Sequence, residues 1–358
     1  MRIQSIALEN FRNIAGASLE LCATRVFFVG ANGQGKTNLL EAVGLMGALR
    51  SFRTRDSAAL VRKGEKLARV LMGLDSDKEG AAQLEVQLGG KAPRAILNGA
   101  GVTRMADFLG RFPVVPAVSE DMRLMRGSPG ERRRPFDLLF SSGSPAYFEA
   151  LRRYHKALKS RNELLRQQSQ NIALFEAFED ELARAGAAVM NFRREGTAQL
   201  NADLCAIYAQ LCRETETPQL DYAANVVDAT ESSLRMLFEK NRPRDRLAQS
   251  THNGPQRDDF RFLLNGMNAK DYASEGQQRG LVLSWRLAQA RWLERLCGQM
   301  PVLIADDILG ELDPERRRGF WRAVPDTMQV IASGTTLPAS DEKIPWRVYQ
   351  VQEGMFFE

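Results

Sequence analysis

Gly30-Ala31-Asn32-Gly33-Gln34-Gly35-Lys36-Thr37 fits the pattern G-x-x-x-x-G-K-T at every fixed position. Glycines in such a loop let successive backbone N–H groups converge on phosphate oxygens. The lysine places a charge between the β and γ groups, and the threonine offers its hydroxyl to Mg2+ at a helix N-terminus. The flanks agree: Val26-Phe27-Phe28-Val29 is a continuous apolar run, as in a buried strand, and apolar residues at 39, 40, 43 and 46 give Lys36 to about Arg50 a helical period. Strand, glycine loop and helix are the context the motif requires, so this stretch predicts ATP or GTP binding on an α/β fold.

A magnesium site needs a carboxylate besides Thr37, and the chain supplies one far downstream. Pro301-Val302-Leu303-Ile304-Ala305 reads as a buried strand that delivers Asp306-Asp307 at its C-terminal edge, where ligands of open α/β sheets bind. Asp306 is the expected Mg2+ partner of Thr37, directly or through water. Asp307 is the candidate base or water-orienting group, and Lys36 completes the catalytic set. A site drawn from two distant parts of the chain makes whatever lies between them an insertion into the ATPase.

Along the chain, Met1 to Leu8 alternates as a strand, and three short β runs (68–72, 84–88 and 94–97) end at Asn98-Gly99, a hairpin turn pair; together they predict an antiparallel meander. Ser128-Pro129-Gly130-Glu131 is a capping box with proline at the first helical position, and from there to about Phe238 the chain reads mostly as helix, with breaks at Pro135, Pro145 and Pro218. Phe175, Phe178, Leu182, Ala185, Val189 and Phe192 recur at spacings of three and four, and Leu200, Leu204, Ile207 and Leu211 continue the stripe. Leu151, Tyr154, Leu158 and Leu165 offer a matching stripe across the polar stretch 167–171. These spacings fit a short antiparallel coiled hairpin, with a compact helical bundle as the other reading. β character returns after Pro243 at Phe260, Phe262 and Leu264, followed by a helix from Ser274 to about Cys297. The expected division is an ATPase head made of two lobes, 1–121 and 247–358, around an all-α arm, 122–246.

The 358 residues are 44% hydrophobic and 26% charged, which suits two ordinary globular units rather than a disordered chain. Met1 to Leu8 lacks the apolar core of a signal peptide, and no stretch approaches the roughly 20 apolar residues of a membrane span, so a soluble cytoplasmic protein is expected. Cys22, Cys205, Cys212 and Cys297 show no C-x-x-C spacing and read as reduced thiols. The formal net charge is +5, yet the segment from Asp121 to Arg166 alone holds eleven Arg or Lys against five Asp or Glu. A polyanionic partner and a solvated helical face both account for it.

Ser274-Glu275-Gly276-Gln277-Gln278-Arg279 opens the helix before the Asp306-Asp307 strand, and Ser274 with Gln277 forms a local capping box. Taken with the glycine loop and Asp306-Asp307, it resembles the signature motif of the ABC ATPase superfamily. In that motif a serine at a helix N-terminus in one subunit faces the γ-phosphate bound by another. Gly310-Glu311-Leu312-Asp313 stands at the spacing of that superfamily's D-loop.

Across nearly its whole length the chain resembles the RecF family of bacterial DNA replication and repair proteins, short-armed relatives of the SMC ATPases. The resemblance is carried by Asn10-Phe11-Arg12-Asn13, Leu39-Leu40-Glu41-Ala42, Ser51-Phe52-Arg53-Thr54 and Glu120-Asp121. It continues through Gly127-Ser128-Pro129 with Glu131-Arg132-Arg133-Arg134, Arg161-Asn162-Glu163-Leu164-Leu165, Gly254-Pro255-Gln256-Arg257-Asp258-Asp259 and the segment from Ser274 to Arg279.

The resemblance implies an ATP-dependent homodimer that sandwiches two nucleotides with Mg2+ and clamps DNA at gaps, where duplex meets single strand. It implies work with RecR and RecO to load RecA, roles in replication, recombinational repair and the SOS response, and a weak DNA-stimulated ATPase. It assigns nucleotide contact to residues 30–37, to Ser274, Gly276 and Gln277 across the dimer, and to Arg12, for which a plain surface ion pair is the other reading. DNA phosphate contact falls to Arg132, Arg133 and Arg134, with Arg152 and Arg153 as further candidates.

Four positions depart from the pattern: Gln256 replaces the usual histidine, Gly310 the serine of the D-loop, Ala305 a larger residue, and Ser333-Gly334-Thr335 the switch region where ABC relatives have histidine. Asp307, one methylene shorter than the glutamate of faster relatives, predicts slow turnover. A transporter's nucleotide-binding subunit is the rival enzyme class; a silent scaffold and a P-loop kinase each explain less of the chain.

Overall fold

The computed structural model describes residues 1–212, 216–337 and 345–358. The chain forms two units: Met1–Met122, Asp203–Glu216 and Glu275–Glu358 make the first, Arg123–Ala202 and Thr217–Ser274 the second.

The first unit holds two six-stranded sheets. The antiparallel one is built from β1 (Arg2–Phe11), β2 (Ile14–Glu20), β4 (Ala68–Ser76), β5 (Gly80–Leu88), β6 (Arg94–Leu97) and β7 (Ala100–Gly101), in the order β2-β1-β4-β5-β6-β7. It contains the expected meander, and Asn98 and Gly99 turn the β6–β7 hairpin with φ of 50° and 81°, the left-handed pair that tight hairpins require. The other sheet is built from β3 (Arg25–Val29), β8 (Val114–Val118), β12 (Val302–Asp306), β13 (Val330–Gly334), β14 (Arg347–Gln352) and β15 (Met355–Phe357). Its order is β15-β14-β3-β13-β12-β8, all pairings parallel except the β14–β15 edge. Every residue of β3 and β12 is buried, which is why both read as unbroken apolar runs.

Helix α1 (Lys36–Ala48) lies between the sheets, touching β8, β12 and β13 of one and β1 and β5 of the other. Leu39, Leu40, Val43 and Met46 therefore share one core with Phe28, Ile304 and Ile331 and with Ile6, Val70 and Val86. Complete burial of each such side chain contributes on the order of 1.5–3 kcal/mol, and covering on both faces makes the helix apolar nearly all round. Gln329 fastens the sheets at one end. Its buried amide donates to the carbonyls of Ile3, Leu21 and Ala23 at 3.0, 2.6 and 3.1 Å and accepts from the Ile3 N–H at 2.7 Å. Short α2 (Met105–Phe108), α9 (Glu275–Cys297) and α10 (Pro314–Ala323) complete this unit.

The second unit contains α3 (Arg123–Arg126), α4 (Pro129–Gly143), α5 (Pro145–Arg166), α7 (Glu231–Ala248), α8 (Ala269–Tyr272) and α6 (Ile172–Leu211) as far as Ala202. The capping box at Ser128 and Glu131 starts α4 as expected. Helices α5 and α6 run antiparallel: Arg153 meets Glu181, and Leu164 and Leu165 meet Phe175 near the connection. The hairpin is also covered by α7, whose Leu234 and Phe238 join Tyr154, Ala157 and Leu182 in one cluster, so hairpin and bundle are both present.

Three features differ from the expected division, the first being that Asp203–Glu216, expected in the arm, belongs to the first unit. The arm carries a small sheet, β9 (Pro218–Ala223), β10 (Asp259–Leu264) and β11 (Met267–Asn268), and the later boundary falls at 274/275 instead of 246/247. The cause is the partner of β10. Phe260, Phe262 and Leu264 do alternate, but β10 pairs antiparallel with β9, and Phe260 stacks on Phe136 of α4 with centroids 4.0 Å apart. Among the described residues, no helix is long and apolar enough to cross a membrane.

Candidate nucleotide site

The loop between β3 and α1 takes a shape that its glycines permit. Gly33 and Gly35 have φ of 79° and 115°, and a Cβ on Gly30 would lie 2.4 Å from the Val351 carbonyl oxygen. Lys36 is only 4% exposed, and its ammonium donates to the carbonyls of Gly30 and Ala31 at 2.8 and 3.0 Å.

Strand order brings the distant carboxylates to this loop. β13 lies between β3 and β12, and parallel register sets Ser333 opposite Asp306. The Thr37 hydroxyl donates to Asp306 Oδ1 at 3.0 Å, and the Ser333 hydroxyl donates to the same oxygen at 2.6 Å. Asp307 follows with φ of 57°, its N–H donating to Ser333 Oγ at 3.3 Å. Lys36, Thr37, Asp306 and Asp307 thus gather at one end of the parallel sheet.

Burial raises the Asp306 carboxyl above the usual carboxylate range; hydrogen bonds from Ser333 and Thr37 pull it down, and the charges of Asp307 and Glu120 push it further up. A buried carboxylate with hydroxyl partners and acidic neighbours is an oxygen-rich, anionic setting that suits a hard cation. Thr37 and Asp306 would hold Mg2+ there, and the ion would supply neutralising charge for phosphate oxygens.

Arg12 is placed on Glu41. Its guanidinium donates twice to that fully buried carboxylate, at 2.9 and 2.8 Å; the Ser51 hydroxyl donates to it as well, and Arg53 approaches to 3.5 Å. Asn13 donates to the Gln34 carbonyl at 3.3 Å and accepts from Asn38 at 2.8 Å. The segments 10–13, 39–42 and 51–54 are therefore one brace beside the loop. Glu41 was present in the sequence without any sign of this role.

Ser274, Gly276 and Gln277 form a second group. Ser274 is exposed just before α9. A Cβ on Gly276 would lie 2.6 Å from Arg316 Nη1, and Gln277 donates to Glu216 at 2.8 Å. The other Glu216 oxygen accepts from the Tyr208 hydroxyl at 2.5 Å, so the last turns of α6 meet the start of α9 through one carboxylate. Arg279 bridges Glu275 at 3.1 Å and Glu311 of the D-loop-like segment at 3.3 Å. Farther along α9, Arg286 pairs with buried Asp121, which also accepts the Val118 N–H at 3.0 Å. Gly310 has open space where a side chain would stand. Glu216 carried no signal in the sequence.

The basic segment has partners within the second unit: Arg132 donates to both oxygens of Asp259 at 2.8 and 2.7 Å, and Arg133 donates to the Asp258 carbonyl at 2.5 Å. Arg134 is half-buried. Arg161 is fully buried between Glu179 at 3.0 Å and Asp245 at 2.7 Å. Arg152 and Arg153 are exposed on α5, paired with Glu149 and Glu181, and Lys156 and Lys159 are exposed beside them. All four cysteines stand outside disulfides, and burial pushes the thiols of Cys205, Cys212 and Cys297 up, away from reactive thiolate.

No protein-family model matches the chain. Among curated proteins it is similar to "DNA replication and repair protein RecF" of Streptococcus gordonii, 33% identical over 343 residues with 94% of each chain covered. The protein of the same name from Heliobacterium modesticaldum is 33% identical over 366 residues, covering 99% of this chain and 98% of the relative. Among solved structures, "the recombination mediator protein RecF-ATP in RecFOR pathway" superposes with a TM-score of 0.90 at 27% identity, covering 99% of this chain and 96% of that one. An Smc head bound to the C-winged helix domain of ScpA gives a TM-score of 0.53 at 14% identity, a likeness of fold.

Proposed function

The chain belongs to the RecF family of DNA replication and repair proteins, and from that premise we propose that it is an ATP-dependent clamp on DNA. ATP and Mg2+ bind at residues 30–37 and Asp306, two protomers close on two nucleotides, and the closed dimer holds gapped DNA where single strand meets duplex. RecR and RecO then act with it to load RecA, in replication, recombinational repair and the SOS response, in the cytoplasm. Family membership sets aside the transporter subunit.

The observation that carries this reading is the bond from Thr37 to Asp306, which joins the phosphate loop to the second magnesium candidate across an intervening strand. In the proposed cycle, loop N–H groups and Lys36 bind the phosphates, and Asp307 orients the attacking water. Lys36 has to leave the Gly30 and Ala31 carbonyls to do so; a phosphate is the stronger, charged acceptor. Ser274, exposed just before α9, serves the partner's γ-phosphate at the positive end of that helix. For DNA, the exposed α5 residues Arg152, Arg153, Lys156 and Lys159 are favoured as contacts over the less exposed Arg132 and Arg133.

The test is size-exclusion chromatography of wild type, Lys36→Met and Ser274→Arg with ATP and a gapped duplex at two salt concentrations. Wild type is expected to dimerise and retain DNA only with ATP. Lys36→Met loses nucleotide, whereas Ser274→Arg keeps nucleotide and stays monomeric; dimers of Ser274→Arg would sink the role across the interface.

A further inference from the structure

The Ser333 hydroxyl touches both acidic residues of the site. It donates to Asp306 Oδ1 at 2.6 Å and accepts from the Asp307 N–H at 3.3 Å. Ser333 is 1% exposed and Asp306 6%, so water does not readily replace either bond. Thr37, the other donor to Asp306 Oδ1, is also the residue whose hydroxyl oxygen would ligate Mg2+. An Asp306 held by Thr37 alone would be free to swing whenever Thr37 adjusts to the ion. Ser333 holds it from the neighbouring strand, fixed by parallel register between β12 and β13.

We propose that Ser333 is a positioning residue for the metal and the attacking water: its hydroxyl fixes the Asp306 carboxylate for Mg2+ and pins the Asp307 backbone at the strand end. It acts through those two residues and does not itself sense the γ-phosphate, which is the role its place in the switch region would suggest. The assignment rests on the ATPase reading above. A serine that merely satisfied a buried carboxylate would affect stability alone, whereas a positioning serine affects the dependence of nucleotide binding on Mg2+.

The experiment measures binding of a fluorescent ATP analogue to the full chain by anisotropy, in EDTA and across a Mg2+ titration, with thermal melts of each variant. Ser333→Ala should raise the Mg2+ concentration for half-maximal binding by about tenfold, the worth of one hydrogen bond to a charged group. Binding in EDTA should stay within about twofold, since a hydroxyl that acts by holding the metal's carboxylate contributes little without the metal. Ser333→Thr, which keeps the hydroxyl, should restore the wild-type Mg2+ profile and guards against a poorly folded alanine variant. Unchanged Mg2+ dependence in Ser333→Ala, or an equal loss with and without Mg2+, overturns the proposal. A wild-type chain that binds no ATP in either condition instead removes the ATPase reading, and the positioning role with it.

Discussion

Arg12 grips the carboxylate of Glu41 through two bonds of 2.9 and 2.8 Å, and Glu41 is wholly shielded from water. Arg12→Ala leaves a buried charge with only Ser51 and the more distant Arg53. The expected loss is about 2–3 kcal/mol, or roughly 5–10 °C in melting temperature. ATP affinity should fall only as the brace loosens. A variant that melts like wild type yet binds ATP tenfold more weakly would make Arg12 a direct nucleotide contact.

Asp306 is costly to the metal-free protein. Its carboxyl is raised by burial, so the native state binds that proton more tightly than the unfolded chain does. Its contribution to metal-free stability therefore falls as pH rises from the ordinary carboxylate range through the raised value. Asp306→Asn should melt higher than wild type in EDTA at neutral pH, by a few degrees, on the order of 1 kcal/mol. It should also lose the Mg2+-dependent gain in ATP binding. Equal melts in EDTA would refute the first part.

Asp307→Glu extends the side chain by one methylene toward the attacking water. Steady-state hydrolysis with DNA should rise severalfold, a fraction of the roughly 10²–10⁴-fold that a positioned base contributes in total. A rate at or below wild type counts against Asp307 as the water-orienting group.

Glu216 couples Tyr208 at the end of α6 to Gln277 at the start of α9. Glu216→Ala should preserve ATP binding by the monomer and weaken ATP-dependent dimerisation by about fivefold or more, roughly 1 kcal/mol per lost bond. Sedimentation at graded protein concentrations reads this directly; unchanged dimerisation with Gln277 released would make Glu216 a simple structural partner.

On α5, the double reversal Lys156→Glu and Lys159→Glu should weaken DNA binding and lower the slope of log K against log salt by about 2, with little change in melting temperature. Arg132→Ala should do the reverse, melting lower through loss of its Asp259 pair while keeping the salt slope. Equal slopes for both variants would place the DNA elsewhere.

The glycine loop between strand and helix and the Asp306 strand were legible because each is a local pattern: fixed spacing in one, an apolar run ending in acid in the other. Their meeting required strand order, which no local pattern encodes, and the Ser333–Asp306 bond depends on a register set only in three dimensions. The partners of the charges were hidden for the same reason. Arg132 and Arg133 look uncompensated along the chain, yet their acceptors are Asp259 and the Asp258 carbonyl, far downstream. Alternation at Phe260, Phe262 and Leu264 revealed a strand with one buried face but not which core that face joins, so β10 was expected in the head.

The strand order also sets a timetable for synthesis. β3, which leads into the phosphate loop, has β13 and β14 as its two neighbours, and both are translated roughly 300 residues after it. At about 5–20 residues per second, both edges of this apolar strand lack their partners for on the order of 15–60 s. All of the second unit has been translated by Ser274, before β12, β13 or β14 exists. The nascent chain thus holds every residue of the arm while the candidate nucleotide site is still incomplete, and that site can close only when its last parallel strands arrive.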